Sequence, residues 1–154
     1  MTLSSPRGSF SARVVFGVAA SDSLRIEIPG GSGLRFLLIC NDGRLRADLP
    51  EDDAMFEGVA TGEVMNELFG IDLAPKDLIA ALLGSAPPSL RVDWRFDRSK
   101  PAHVSMAKST VARLSLALDD PETSAPSATA FVFGPPRENR WTLQQMSERL
   151  GLKR

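Results

Sequence analysis

The chain has 154 residues, 43% of them hydrophobic, with 18 basic and 19 acidic side chains and a formal net charge of -1. A chain of that size and apolar content builds its core without metals or disulfides, and one domain is the default. Neither charge sign gathers into a block, which argues against duplex DNA as a partner. No run of 18 apolar residues crosses a membrane as a helix, and Cys40, the only cysteine, leaves no intrachain disulfide to form.

Residues 10–152 read as one domain, and 1–9 as a flexible segment that lacks the apolar stretch of a secretory signal. From Phe10 to Ala19 the apolar side chains alternate, with Phe10, Ala12, Val14, Phe16 and Val18 on one face. After the Ser21-Asp22 turn, Leu24, Ile26 and Ile28 alternate with Arg25 and Glu27, which makes the pair a hairpin. Pro29 to Gly33 is a loop by composition. Leu34 to Cys40 is apolar on nearly both faces and needs cover on each. Asn41-Asp42-Gly43 is a hairpin turn. Leu45, Ala47 and Leu49 then point inward and Arg44, Arg46 and Asp48 the other way. Pro50 to Asp53 interrupts, and Met55 to Gly58 returns as a short strand.

The period changes at Thr61. Val64, Met65, Leu68 and Phe69 give one apolar helix face, with Thr61 as N-cap and Gly70 as the terminating glycine. A second helix runs from Pro75 to Leu83, with Leu78, Ile79, Leu82 and Leu83 as its face and Gly84 as its stop. Period two resumes with Leu90, Val92, Trp94 and Phe96 against Arg91, Asp93, Arg95 and Asp97. Strands follow at 102–108 and 111–118, then a polar loop at 119–127 and a last strand at 128–133. The final helix starts at Thr142, where Thr142 and Gln145 have capping-box spacing and Trp141 is placed as a hydrophobic staple. Strands, two helices, strands and a helix make an α+β domain.

Candidate chemistry is sparse. Gly30-Gly31-Ser32-Gly33 lacks the following helix and the Gly-Lys-Ser/Thr ending of a phosphate loop. Neither Glu51-Asp52-Asp53 nor Asp119-Asp120-Pro121-Glu122 has calcium-loop spacing. His103 is the only histidine, so no multi-histidine metal centre is expected, and no cofactor or catalytic residue is assigned. Asp93 and Asp97 alternate with Arg91 and Arg95 and read as a neutralised sheet face. Trp94 and Phe96 face away from those arginines, so no base-stacking surface is expected. What remains is a large supply of apolar surface on the strand 34–40 and on both helices. Either it closes into a core, or it lines a cavity between sheet and helices that suits an acyl chain.

The segment Phe56-Glu57-Gly58-Val59-Ala60-Thr61-Gly62-Glu63-Val64-Met65-Asn66-Glu67-Leu68-Phe69-Gly70, continuing through Pro75 to Leu82-Leu83-Gly84, resembles the LolA/LolB-like superfamily of bacterial lipoprotein carriers and receptors. The likeness rests on a short helix ending in glycine, an apolar-Pro step and a second helix ending in Leu-x-Gly. It extends more weakly through the opening strands, Asp42-Gly43, and Phe131 to Pro136 with the final helix. The resemblance implies a curved antiparallel sheet, an incomplete barrel, with short helices over its concave face and a hydrophobic cavity between. In that cavity Met65, Leu68, Phe69, Leu78, Ile79, Leu82 and Leu83 would face a lipid from the helices, and Phe16, Ile26, Phe36, Leu38 and Trp94 from the sheet. It implies a non-enzymatic lipid or lipoprotein acyl-chain binder in the periplasm or on the periplasmic face of the outer membrane. An envelope protein is a further expected partner, nucleic acid is not, and an export and lipidation signal would lie outside this sequence. The alternatives are a non-catalytic interaction domain with a collapsed core, and a small-molecule enzyme using the same cavity. The loop 29–33 lacks the apolar tip with which the receptor meets the membrane, and no lipid-attachment cysteine stands near residue 1.

Overall fold

The computed structural model describes residues 1–5, 8–19, 22–31, 33–85, 87, 94–100, 103–108, 112–117 and 126–151. They form an α+β fold of two sheets and three short helices, and the sheets do not close into a barrel.

The first sheet has six strands: β3 (Val15–Ala19), β4 (Ser23–Gly30), β5 (Gly33–Asn41), β6 (Arg44–Leu49), β7 (Ala54–Val59) and β11 (Asn139–Arg140). Consecutive strands pair antiparallel, and β11 adds parallel to β7 at the edge. The second sheet has the order β2 (Gly8–Ser11), β1 (Thr2–Ser5), β10 (Ala112–Ala117), β9 (His103–Lys108), β8 (Trp94–Lys100), all antiparallel. The helices are α1 (Gly62–Phe69), α2 (Pro75–Leu82) and α3 (Leu143–Leu150).

Local chemistry explains the turns and caps. Asp42 and Gly43 both have positive φ, 50° and 71°, the conformation a two-residue hairpin of this twist requires. Thr61 accepts a hydrogen bond from Val64 N at the start of α1, and Gly70 ends it at φ 73°. Pro75 opens α2, and Thr142 and Gln145 complete the capping box of α3. Trp141 packs partly buried against the core beside that cap.

One core unites the layers. Leu24, Phe36, Leu38 and Leu45 from the first sheet pack with Leu114 and Leu116 from the second, with Leu68, Leu78 and Ile79 from α1 and α2, and with Met146 from α3. Ser147 Oγ donates to Glu67 O at 2.7 Å and ties α3 to α1.

Five expectations are revised. The strand expected over 10–19 is broken at 12–14, although Ala12, Val14, Phe16 and Val18 do share the core-facing side. The loop expected at 29–33 is mostly ladder: β4 runs through Pro29 and Gly30, and a register shift between Ile28 and Pro29 accommodates the proline. Thr2–Ser5 is a strand held between β10 and β2, because β10 offers it an edge; so short a run gives little pattern to read. The strand expected at 128–133 is instead a 3-10 turn, Ala128–Phe131, followed by irregular chain. Its carbonyls are used differently: Arg25 Nη1 donates to Ala130 O at 2.8 Å, and Arg46 donates to Gly134 O and Pro135 O, both at 2.7 Å.

That segment also corrects the reading of β6. Arg46 and Asp48, expected on an open face, are only 2% and 4% exposed, because the chain at Gly134 and Pro135 lies against Arg46 and the Arg137 side chain approaches Asp48. Arg46 Nε donates to Asp48 Oδ1 at 2.9 Å, so the buried pair is saturated by its own partner and by two carbonyls. This is the cover that the doubly apolar β5 needed on its second face, where Ile39 is buried. The strand expected over 90–97 is seen from Trp94 onward; residues 90–93 lie outside the described residues, as do 119–125 of the expected loop.

Candidate functional site

The space beneath α1 and α2 is filled. Ile26, Phe36, Leu38, Met65, Leu68, Phe69, Leu78 and Ile79, all expected to line a cavity, are buried in a common core. Phe16 and Leu82 are half-buried against it. A small apolar pocket of about 20 Å³, bordered by Met1, Ile26, Met65, Phe69, Leu78 and Leu114 among others, gives roughly one water's worth of room and is itself partly open. Leu83 is 61% exposed, one residue past the end of α2, and does not belong to that face. The helix stops a residue earlier than the apolar pattern does, so Leu83 turns outward with Gly84 following at φ 86°. Trp94 opens β8 opposite Lys108, and its side chain lies outside the described ones.

A larger cavity, about 440 Å³ and open to solvent, lies at the edge of the core. It forms where several elements end together. The chain leaves β2 at Ser11 and passes through Ala12 and Arg13. The register shift in β4 brings Pro29, Gly30 and Gly31 to the opposite wall, and Pro50 turns the end of β6 away through Glu51 and Asp52. The ends of α1 and α3 contribute Phe69 and Leu150. Its apolar wall is Ile28, Phe36, Leu49, Phe69 and Leu150.

Phe69 borders both spaces. Its ring meets Phe36 edge-on, with centroids 5.7 Å apart and planes at 90°. Phe69 is therefore a wall shared by the open cavity and the small apolar pocket, and Phe36 supports it from the cavity side.

The rim is charged. Arg149 makes a two-pronged contact with Asp52, Nε to Oδ2 at 2.8 Å and Nη2 to Oδ1 at 3.1 Å. Hydrogen bonding to that carboxylate, and then its charge, raise the Arg149 guanidinium further above its ordinary value. Glu51, Arg13 and Arg35 are exposed on the same rim. Among the described residues, neither Arg13 nor Arg35 makes a hydrogen bond or an ion pair. Cys40 stands apart from the rim, in the core, where burial pushes its thiol up to about 12. A thiol held neutral in this way is unsuited to nucleophilic chemistry. Among the described residues no group of three or more His, Cys, Asp or Glu side chains is placed to hold a metal ion.

Of the residues expected to meet a ligand, Phe36 and Phe69 line the cavity; Ile26, Leu38, Met65, Leu68, Leu78 and Ile79 hold the core, Phe16 and Leu82 pack against it, and Leu83 is exposed. Sequence periodicity reads Leu49 as inward-facing but does not bring Arg13, Arg35, Glu51, Leu49 and Leu150 to one site, because they come from elements and turns far apart in sequence. The available signal was the pair of breaks at 29–33 and 50–53, flanked by Arg35 and by Glu51 to Asp53; the break at 12–14 gave none, because the apolar alternation runs through it. Comparison with known proteins finds no family model that matches the chain and no curated protein that matches it significantly.

Proposed function

We propose that this chain binds the acyl chain of a lipid or lipoprotein in the 440 Å³ cavity, as a carrier or receptor-like protein of the bacterial envelope. The observation that carries the reading is the cavity itself: an open space in the usual size range for ligand pockets, about 300–1,000 Å³, with a mixed lining in which five apolar side chains from five separate elements stand beside arginines and carboxylates. Each methylene buried there is worth roughly 0.8 kcal/mol, so a chain of ten carbons brings on the order of 8 kcal/mol before ordering costs. The sequence resemblance to the LolA/LolB-like superfamily supports the same reading. The role is binding and handover rather than catalysis, and Cys40 is too deeply buried to serve as a nucleophile.

The place of entry differs from the one expected. The room lies at the edge of the core instead of beneath α1 and α2, and Phe69 stands where the two spaces adjoin. One observation favours a second reading, a non-catalytic interaction domain: the packed interior, whose small pocket of about 20 Å³ admits no acyl chain while Phe69 keeps its position.

Native mass spectrometry of the purified protein, with lipid extraction from the same sample and titration with a fluorescent fatty acid, separates the readings. Co-purified lipid, or saturable one-to-one binding weakened by Leu150→Asp, at a half-buried position of the cavity wall, in a protein still folded by circular dichroism, supports the carrier. No lipid and no titration in a folded sample transfers the weight to the interaction domain.

A further inference from the structure

We infer that the ligand of this cavity is an anionic amphiphile, whose acid head is held by Arg13 and Arg35 while its chain lies on Ile28, Phe36, Leu49 and Phe69. The inference rests on the acyl-chain reading above and adds the chemistry of the head group.

Three observations lead to it. First, the cavity is two-sided in character: its inner wall is apolar and its mouth carries arginines and carboxylates. A neutral hydrocarbon would leave that mouth without a role, and a free anion would leave the wall without one. Second, the rim charges are not equivalent. Arg149 is engaged twice by Asp52 and is neutralised where it stands, whereas Arg13 and Arg35 have no partner among the described residues. Third, among the described residues of the rim Glu51 is the one acid left beside these two arginines, so the described mouth is net positive although the whole chain has a net charge of -1. A positive mouth on a slightly acidic protein attracts an anion locally.

The two arginines come from separate turns, Arg13 from the break between β2 and β3 and Arg35 from β5 beside the β4–β5 turn. A guanidinium offers a planar fork of donors that suits carboxylate and phosphate alike, so the shared chemistry is a terminal oxyanion on an alkyl chain. Both side chains are exposed, and each contact is consequently modest.

Calorimetric titration at pH 8 with decanoate, decyl phosphate and 1-decanol tests the assignment on the wild-type protein and on the R13Q/R35Q variant. Both anions are expected to bind wild type about tenfold more tightly than decanol, from two exposed charge-assisted contacts. In R13Q/R35Q that preference is lost while decanol binds as before, and R13K/R35K keeps most of it. E51Q, which removes the one unpaired acid at the mouth, is expected to tighten anion binding by about twofold. Whichever of decanoate and decyl phosphate binds more tightly identifies the head as carboxylate or phosphate. Equal affinity for decanol and decanoate in wild type, or an anion preference that survives R13Q/R35Q, overturns the head-group inference and leaves the acyl-chain reading standing. Competition by inorganic phosphate alone, without decanol binding, also overturns it, by showing an anion site without a tail. If none of the amphiphiles binds a folded sample, both readings fall together.

Discussion

Phe69→Ala tests whether the shared aromatic wall governs the room available to a ligand. The Phe69 ring is buried, meets Phe36 edge-on at 5.7 Å and borders both the 440 Å³ cavity and the 20 Å³ pocket. Truncating a buried phenylalanine costs about 3–5 kcal/mol, including the lost ring contact. For a chain of this size that corresponds to a fall in Tm of roughly 6–20 °C. The same truncation joins the two spaces and adds the volume of the missing ring. Affinity for straight-chain fatty acids rises about fourfold per methylene while each new methylene is buried, then levels off when the room is full. The variant is therefore expected to level off at a longer chain than wild type, and saturating ligand should recover about 2.7 kcal/mol of its stability at a hundred times Kd. Urea unfolding measures the first effect, and a calorimetric series from eight to sixteen carbons measures the second. A variant within about 1 kcal/mol of wild type, or one that levels off at the same chain length, refutes the shared wall.

Three further substitutions test the frame around the cavity. Arg46→Met removes the hydrogen-bonded partner of the buried Asp48 carboxylate, leaving it only Arg137 at 3.9 Å, and strands the carbonyls of Gly134 and Pro135; it is expected to cost about 3 kcal/mol in urea unfolding, with Arg46→Met/Asp48→Leu recovering much of it. Thr142→Ala removes the side chain that caps α3 at Gln145 N and is expected to cost about 1 kcal/mol, read as a fall in Tm of about 2–4 °C. Cys40 gives a pH signature: between its ordinary value of 9.0 and about 12 the unfolded chain releases the thiol proton and the folded chain keeps it. Stability then falls as pH rises through that window, by up to about 1.4 kcal/mol per pH unit from this group. Unfolding of wild type and Cys40→Ala at pH 8 and pH 10.5 should show wild type losing more on the alkaline side; equal losses would contradict the burial argument.

Local order was legible because each signal needs only neighbouring residues. The Asp42-Gly43 turn, the Thr61 and Thr142 caps, and the glycines at 70 and 84 all have the conformations their types favour. The apolar phase of β4, with Leu24, Ile26 and Ile28 inward, was readable for the same reason. Long-range cover was not. Arg46 and Asp48 have the polarity of a solvated face, and only residues some 88 positions later bury them. Phe131 to Phe133 has the composition of a strand, yet arginines from β4 and β6 bind the neighbouring carbonyls and no ladder forms there. Leu83 continues an apolar rhythm that the helix itself does not follow to its end.

The candidate site was illegible for a related reason, and its position follows from packing. Period-two and helical patterns mark residues at the middle of elements, where ladders and turns are regular and side chains interdigitate without gaps. Those residues fill the interior here, which is why the expected lining of Ile26, Leu38, Met65, Leu68 and Ile79 is core. Among the described residues the larger room lies where regular pairing ends: at the break between β2 and β3, at the register shift beside Pro29, and where Pro50 closes β6. Segment ends also carry polar side chains, because backbone and water meet there. A cavity assembled from such ends therefore acquires an apolar floor from the last core residues, Ile28, Phe36, Leu49 and Phe69, and a charged mouth from the turns that follow them. An amphiphile has that same division between tail and head, so the features that hid this site from periodicity are also those that suit it to a ligand with an acid at one end.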